Sequence, residues 1–171
     1  MAANPNRPQL VAVDANVLFD LADGVENVVD SVSIIRGRLH EARLLLPPTV
    51  QHELANWALR DNTEEKRRAG LRAIQVAQSW HITPANLLAV SHGIADRIAR
   101  RLCELGLVPE EEVHDSLILA EAALLQCSLL LTSDEHLRGI DFERLTFEFQ
   151  SFDVTAPVIA TPRETVKKFF R

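Results

Sequence analysis

The sequence predicts one α/β domain built on a short, mostly parallel sheet. Three observations support this prediction: short continuous apolar runs, amphipathic stretches between them, and turn or capping residues at the junctions. Because strands alternate with helices, each helix can form a right-handed crossover between parallel strands. Ligands of such sheets bind beyond the carboxyl ends of the strands, so the residues that follow each strand are the first candidates for function.

The predicted strands are apolar segments that end at turn residues or prolines. They cover residues 10–13, 44–46, 81–83, 128–132 and, with a weaker pattern, 142–149. Pro47 and Pro48 end the second strand and Pro84 ends the third, because proline cannot donate a hydrogen bond to a neighbouring strand. Alternating phenylalanines suggest a core-facing strand in the last segment.

The predicted helices have apolar residues three or four positions apart. They cover residues 17–22, 25–43, 50–60, 63–80, a stretch from Pro84 to 105, 110–127 and 166–170. Thr49 is the expected N-cap of the third helix, and Gly106 the expected end of the fifth. Thr161-Pro162-Arg163-Glu164 forms a capping box with proline at the first helical position.

Length and composition exclude several classes of protein. The chain has 171 residues, 47% hydrophobic and 25% charged, which suits one domain with a substantial core and excludes disorder. No apolar run approaches the roughly 20 residues of a membrane span, and the first residues have no targeting character. Two cysteines, Cys103 and Cys127, are expected to be reduced thiols of a cytoplasmic protein.

Four acidic residues occupy the positions that matter most in this topology. Asp14 follows the first strand, Glu53 lies early in the helix after the second, and Asp134 follows the strand at 128–132. Asp115 lies near the start of the helix that leads into that strand. Each acid alone is more simply explained as a surface residue, but the topology would gather all four at one rim.

Four carboxylates at one rim repel one another and therefore favour a bound cation. A pair of like charges at about 4 Å costs roughly 4 kcal/mol at an effective dielectric constant of 20. Mg²⁺ or Mn²⁺, which prefer oxygen ligands, would relieve this repulsion. Acid-only clusters with such ions suit the hydrolysis of phosphodiesters, because the ion activates water and stabilises the leaving oxygen.

The acidic positions also lie in segments that resemble the successive motifs of PIN-domain ribonucleases. The segments are Val13-Asp14-Ala15-Asn16-Val17-Leu18, Gln51-His52-Glu53-Leu54, His114-Asp115-Ser116-Leu117-Ile118-Leu119-Ala120-Glu121-Ala122-Ala123 and Leu130-Leu131-Thr132-Ser133-Asp134. They follow the family's order over nearly the whole chain, and the box at 161–164 resembles the family's usual ending. Each motif is weak alone, whereas the ordered set is fairly specific.

The resemblance implies a three-layer α/β/α sandwich and a single PIN-like nuclease domain spanning residues 1–171. It implies cleavage of single-stranded RNA with Mg²⁺ or Mn²⁺, in which Asp14, Glu53, Asp115 and Asp134 are the catalytic, metal-binding acids. Asn16 and Thr132 match positions that support the acids through hydrogen bonds. Members of the VapC-like toxin subgroup are homodimers held inactive by an antitoxin, so an antitoxin and a second copy are expected partners besides single-stranded or structured RNA.

Basic residues give a weaker indication of RNA binding. The net charge is −6, which lacks the overall basic character of proteins that coat nucleic acids. Arg97, Arg100 and Arg101 are clustered, however, and the arginine fork matches phosphate geometry. We therefore assign these three a provisional role in guiding RNA, against the simpler interpretation of a solvated helix face.

Other residues near the motifs receive simpler interpretations. Asp20 is expected on a solvated helix face, and Glu121 either faces the site or is solvated. His114 is expected to be exposed or hydrogen-bonded rather than to act as a proton shuttle. Four phenylalanines are expected to face the core rather than to stack on bases: Phe142, Phe147, Phe149 and Phe152.

Alternative functions are separated by specific residues. An HD-type phosphohydrolase could use His114 and Asp115, but that fold is all-helical and the buried strands argue against it. A haloacid-dehalogenase-like phosphatase needs a second Asp two residues after Asp14, where Asn16 stands. The alternative that stays open is a non-catalytic PIN-like module that binds RNA or protein. Its signature would be the loss of one or more acids, and all four are present.

Overall fold

A five-stranded parallel sheet forms the centre of the computed structural model, which describes residues 8–39 and 41–169. The strands are β1 (Leu10–Val13), β2 (Arg43–Leu46), β3 (Thr83–Pro84), β4 (Leu129–Leu131) and β5 (Val158–Ala160). Their order is β3-β2-β1-β4-β5, and every neighbouring pair is parallel. The prediction of an α/β fold with a short parallel sheet is therefore confirmed.

Helices connect the strands and flank the sheet. They are α1 (Ala15–Ala22), α2 (Glu26–Arg38), α3 (Pro48–Arg60), α4 (Glu64–Ser79), α5 (Ala89–Glu104), α6 (Val113–Leu124), α7 (Glu135–Arg138), α8 (Phe142–Gln150) and α9 (Pro162–Phe169). A 3₁₀ turn at Glu110–Glu112 precedes α6. Successive β1 residues Val11, Ala12 and Val13 are fully buried. Since successive strand residues point to opposite faces, both faces of the sheet are covered, as in the predicted sandwich.

The helices pack as neighbours in a way that accounts for the long 60–80 segment. α3 packs on α4, α5 on α6, and α2 on α9, while α4 also contacts α1. The close approach of α4 to α3 depends on Gly70, where an added Cβ would lie 2.7 Å from the backbone nitrogen of Ala58. The 60–80 segment is therefore an integral packing element beside the two helices that follow β1 and β2.

The predicted strand at residues 142–149 is wrong, because this segment is the helix α8. Its buried residues are Leu145 and Phe149, which are four positions apart and share one helical face. Asp141 caps the helix by accepting hydrogen bonds from the backbone nitrogens of Glu143 and Arg144. The fifth strand is β5, which sequence patterning missed because it has only three residues and none of them is fully buried.

The expected core role of the phenylalanines is correct for only part of the set. Phe149 is fully buried and Phe152 partly buried, but Phe142 and Phe147 are 46% and 70% exposed. The alternating pattern was misleading because it combined residues from two faces of a helix. Both cysteines are free thiols; Cys127 is buried, and Cys103 is half-buried.

Several element boundaries differ from the predictions. Thr49 is not the N-cap of α3; Pro47 holds that position, and the helix begins at Pro48. The second helix ends at Arg38, and Arg43 already belongs to β2. The third strand, predicted at 81–83, is the two-residue β3 (Thr83–Pro84). The helix predicted to extend to 127 ends at Leu124.

Two predicted helix ends are confirmed. In the box before α9, the Glu164 backbone nitrogen donates to Thr161 Oγ1 at 3.3 Å, and the Thr161 nitrogen donates to Glu164 Oε2 at 3.1 Å. Phe170, the predicted end of α9, lies outside the described residues. Gly106 follows α5 with a φ of +64°, which glycine adopts without strain.

Within residues 8–39 and 41–169, no helix is both long and apolar enough to cross a membrane.

Candidate active site

Asp14 lies at the carboxyl end of the central strand β1 and is held there by the backbone. Its nitrogen donates to the Leu131 oxygen of β4 at 3.0 Å, and its side chain accepts a hydrogen bond from the Ala15 nitrogen at 2.7 Å. Asp14 therefore caps α1, which begins immediately after the strand. Asp14 is only 4% exposed, so its ionisable side chain is buried at the carboxyl end of the central strand.

Asn16 and Thr132 complete the surroundings of the Asp14 carboxylate. Thr132 Oγ1 donates to Asp14 Oδ2 at 2.7 Å, and Asn16 Nδ2 donates to the same oxygen at 3.0 Å. Asn16 Nδ2 also lies 3.3 Å from Thr132 Oγ1. The structure therefore brings both residues to Asp14, as the resemblance implied, and these contacts orient the carboxylate.

The segment after β4 places Asp134 beside the same network. The Asp134 nitrogen donates to Thr132 Oγ1 at 3.0 Å, and the Ser133 nitrogen donates to Asn16 Oδ1 at 3.0 Å. Asp134 Oδ1 accepts from the His136 nitrogen at 2.6 Å and so caps α7. One carboxylate oxygen is thus used for local structure, and the position of Asp134 is tied to Asp14 through Thr132.

Asp20 is a further acid at this edge, and the expectation of a solvated side chain is wrong. It is half-buried, and its Oδ2 accepts a hydrogen bond from Ser133 Oγ at 2.9 Å. This bond links α1 to the segment that carries Asp134. The available signal was the position of Asp20 on the helix that Asp14 caps, but sequence alone could not identify Ser133 as its partner.

Glu53 on α3 and Asp115 on α6 lie close enough to Asp14 for its charge to contribute to the pKa of each. Burial raises the pKa of Asp14, and the charge of Asp134 raises it further, against the hydrogen bonds that lower it. Burial also raises the pKa of Glu53, with a second contribution from Asp14. The carboxylates that sequence reasoning assigned to one rim therefore influence one another's protonation.

Asp115 is affected both by burial and by the charges of several acids. Burial and then the charges of Asp14, Asp134, Glu112 and Glu53 raise its pKa from 3.8 to about 7. Asp115 is therefore close to half-protonated at neutral pH. This acid senses the charge of all three other predicted site acids.

Glu112 is an acid that sequence reasoning did not assign to the site. It precedes Asp115 by three residues and is half-buried, and its Oε2 is a buried atom without a hydrogen-bond partner among the described residues. The spacing was a usable signal, because residues three apart share a helical face. Sequence reasoning took the 110–112 acids only as the start of a helix.

The donor set fits a hard divalent cation in its chemistry, although no ligand cluster is ready-made. All four predicted ligands are carboxylates, and three have a pKa that burial, and after it the charge of neighbouring acids, raises. A bound cation would favour the charged form of such carboxylates. Among residues 8–39 and 41–169, no group of three or more His, Cys, Asp or Glu side chains is arranged to hold a metal ion. Mg²⁺ often keeps several waters and one or two carboxylates, so a loose acidic rim is compatible with it.

In the described part of the chain, none of the three predicted RNA-guiding arginines makes a hydrogen bond or ion pair to these acids. Arg101 pairs with Glu148 at 3.3 Å, and Arg97 lies 5.9 Å from the centre of the Phe152 ring. Arg100 lines a groove of about 460 Å³ between α5 and α6. All three arginines are exposed on α5. His114 is also exposed, as expected.

The sequence matches a known family, and its fold is similar to solved structures. The model of the PIN domain family matches residues 11–143, which include Asp14, Glu53, Asp115 and Asp134. No curated protein matches the sequence. Two solved structures resemble the chain, each with a TM-score of 0.59 and with coverage of 90% of this chain and 98% of the other.

Both structures carry the name VapBC. One is VapBC2 from Rickettsia felis bound to a DNA fragment from their promoter, at 11% sequence identity. The other is VapBC-1 from nontypeable Haemophilus influenzae, at 16% identity. At such low identity the likeness shows the fold alone.

Proposed function

The chain belongs to the PIN domain family, and on that premise we propose that it is a metal-dependent endoribonuclease that hydrolyses phosphodiester bonds in single-stranded RNA. One observation carries the proposal: Asp115 lies close enough to Asp14, Glu53 and Asp134, which come from three other segments, for their charges to add to the effect of burial in raising its pKa. Sites with strongly shifted acids are candidates for catalysis.

The four acids would together hold Mg²⁺ or Mn²⁺. When bound, such a cation supplies an activated water and stabilises negative charge on the phosphate. Asp14 is the most rigid of the four, because Ala15, Asn16 and Thr132 donate hydrogen bonds to it. Asp115, with a pKa of about 7, can hold a proton on its carboxylate at neutral pH.

The most direct test exchanges Asp134 for Asn. The Asn oxygen can accept the hydrogen bond that Asp134 Oδ1 receives from His136, so Asp134→Asn preserves the cap of α7. Asp141→Asn is a matched control, because Asp141 also caps a helix but lies outside the acid network. We expect Asp134→Asn to lose Mg²⁺- or Mn²⁺-stimulated cleavage of single-stranded RNA by about 100-fold or more, with Asp141→Asn unchanged. Equal activity of Asp134→Asn and wild type would refute the assignment.

The proposal extends to a toxin held by an antitoxin in the cytoplasm. Both solved neighbours are named VapBC, which supports a bound antitoxin for this chain. The homodimer rests on the resemblance of the motifs to the VapC-like subgroup. Co-expression with the product of a small adjacent gene, followed by co-purification and an RNA cleavage assay, tests this extension. An antitoxin should co-purify with the chain and suppress RNA cleavage. If the chain cleaves RNA and neither binds nor is inhibited by the protein from the adjacent gene, the toxin assignment is contradicted.

The alternative is a non-catalytic PIN-like module that binds RNA or protein. It is favoured by the absence, in the described part of the chain, of a ready-made metal-binding group. Under this alternative, wild-type protein would bind RNA without cleaving it in Mg²⁺ or Mn²⁺. Charge reversal of Arg97, Arg100 and Arg101 tests their provisional role in either case, since it should weaken RNA binding and flatten its salt dependence.

A further inference from the structure

Glu121 is a buried carboxylate outside the four proposed ligands. It lies on α6, is only 4% exposed and makes two hydrogen bonds to one residue of α3. Its Oε2 accepts from the Thr49 backbone nitrogen at 2.9 Å, and its Oε1 accepts from Thr49 Oγ1, also at 2.9 Å. We call this pair of bonds the Glu121–Thr49 clamp.

The clamp compensates for the way in which α3 begins. Pro47 occupies the N-cap position and offers no side-chain hydrogen bond, and Pro48 has no N–H. Thr49 therefore carries the first backbone donor of the helix, which has no partner within the helix itself. Glu121 supplies the missing acceptor from another helix, and its negative charge lies where the helix dipole favours it. A buried carboxylate at this place is therefore explained by α3.

The same clamp connects the two helices that carry Glu53 and Asp115. Thr49 precedes Glu53 by one helical turn, so the two residues lie on the same side of α3. Asp115 lies on the helix of Glu121, six residues earlier. We infer that Glu121 is a positioning residue for the nuclease site, which fixes the first turn of α3 on α6 and thereby the separation of Glu53 from Asp115. This inference rests on the proposed function.

Four variants separate positioning from stability. Glu121→Ala removes both bonds, Thr49→Val removes only the hydroxyl bond, and Thr49→Ser keeps the hydroxyl. The matched control is Asp141→Ala, which removes a helix cap of α8, because the Asp141 side chain bonds to the backbone of its own helix and not to the acids. Steady-state RNA cleavage gives kcat and KM, and thermal unfolding gives Tm.

A second readout is independent of cleavage. Trp57 lies on α3 four residues after Glu53, and its ring centre is 4.5 Å from that of Phe19 on α1. The protein has only one other tryptophan, Trp80, so a Trp80→Phe background isolates Trp57 fluorescence as a report on the position of α3.

We expect Glu121→Ala to lower kcat by about tenfold or more, because displacements near 1 Å have such effects. KM should stay within about twofold, since the contact is not made to substrate. Thr49→Val should lower kcat by about threefold, whereas Thr49→Ser, which keeps the hydroxyl, should have the kcat of the wild type. Trp57 emission should shift in Glu121→Ala but not in Asp141→Ala.

The inference is overturned if, at a similar loss of Tm, Glu121→Ala and Thr49→Val lower kcat no more than Asp141→Ala does. If Glu121→Ala does not fold, Thr49→Val against Thr49→Ser decides the question. A wild-type protein that cleaves no RNA would refute the proposed function instead. In that event a shifted Trp57 emission in the clamp variants still supports the positioning of α3, and an unshifted one overturns it.

Discussion

Replacing Asp115 by Asn should make the cation-free protein more stable at neutral and alkaline pH. The pKa of Asp115 is raised from 3.8 to about 7 in the folded protein, first by burial and then by neighbouring acids. Between these values the unfolded chain has lost the proton that the folded chain still binds. The free energy of unfolding therefore falls as pH rises from about 4 to about 7, and remains reduced above that. Asn carries no charge and removes this loss.

The size of the effect follows from the same shift. A change of about three pH units corresponds to about 4 kcal/mol, at about 1.4 kcal/mol per unit. Asp115 is half-buried and its neighbours titrate as well, so solvent screening and coupling reduce the net effect to about 1–2 kcal/mol. For a chain of this length, that corresponds to a rise in Tm of about 3–6 °C at pH 8.

The assay is thermal unfolding in EDTA at pH 4 and pH 8, with Asp61→Asn as a control of opposite sign. The Asp61 carboxylate accepts hydrogen bonds from the Thr63 nitrogen and Oγ1, and pairs with Lys66. These contacts lower the pKa of Asp61, so Asp61→Asn should reduce stability at pH 8. An Asp115→Asn protein that is no more stable than wild type at pH 8, or is equally stabilised at pH 4, would contradict the reasoning.

Three further predictions concern the cation, the helix packing and the Asp20 contact. Mn²⁺ should raise the Tm of wild type more at pH 8 than at pH 6, because Asp115 holds a proton at the lower pH; equal shifts by scanning calorimetry would argue against binding there. Gly70→Ala should cost about 1–3 kcal/mol in urea unfolding, because its Cβ would press on the α3 backbone. Gly93 lies in open space on α5, so Gly93→Ala should instead raise the free energy of unfolding by up to about 1 kcal/mol. If both substitutions changed the free energy of unfolding in the same direction, the close packing of α4 on α3 at Gly70 would be contradicted. Asp20→Ala should lower RNA cleavage by about tenfold at saturating Mg²⁺, whereas Asp20→Asn, which can still accept from Ser133, should stay near wild type; equal losses would exclude the hydrogen bond as the cause.

Sequence reasoning succeeded where local pattern and fold coincide. The run at 10–13 is buried on both faces, so its position in the middle of the sheet and the placement of Asp14 at its end were both predictable. It failed at residues 142–149, where two exposed phenylalanines made a helix resemble an alternating strand. The three-residue β5 was missed because so short a run has no pattern that distinguishes it from a loop.

The contacts that organise the site were beyond sequence reasoning because they are long-range. Glu121 and Thr49 are 72 residues apart, and Ser133 and Asp20 are 113 residues apart. Each of these residues, taken alone, is compatible with a solvated surface. Only the packing of α3 on α6, and of α1 beside the segment after β4, gives their polar atoms a partner.

The buried acids of the site differ in how far hydrogen bonds compensate for their burial. Three donors surround the Asp14 carboxylate, and burial still raises its pKa, so hydrogen bonding within the protein does not compensate for removing the charge from water. Glu121 is similar, since burial raises its pKa while Thr49, His92 and His52 lower it. Glu121, however, has both oxygens bonded to α3, which accounts for its presence as part of the framework. Burial, and after it the charges of neighbouring acids, raise the pKa values of Glu53 and Asp115. Under the proposed function a bound cation would account for Glu53 and Asp115, and if Asp115→Asn were both more stable and fully active, that account would fail.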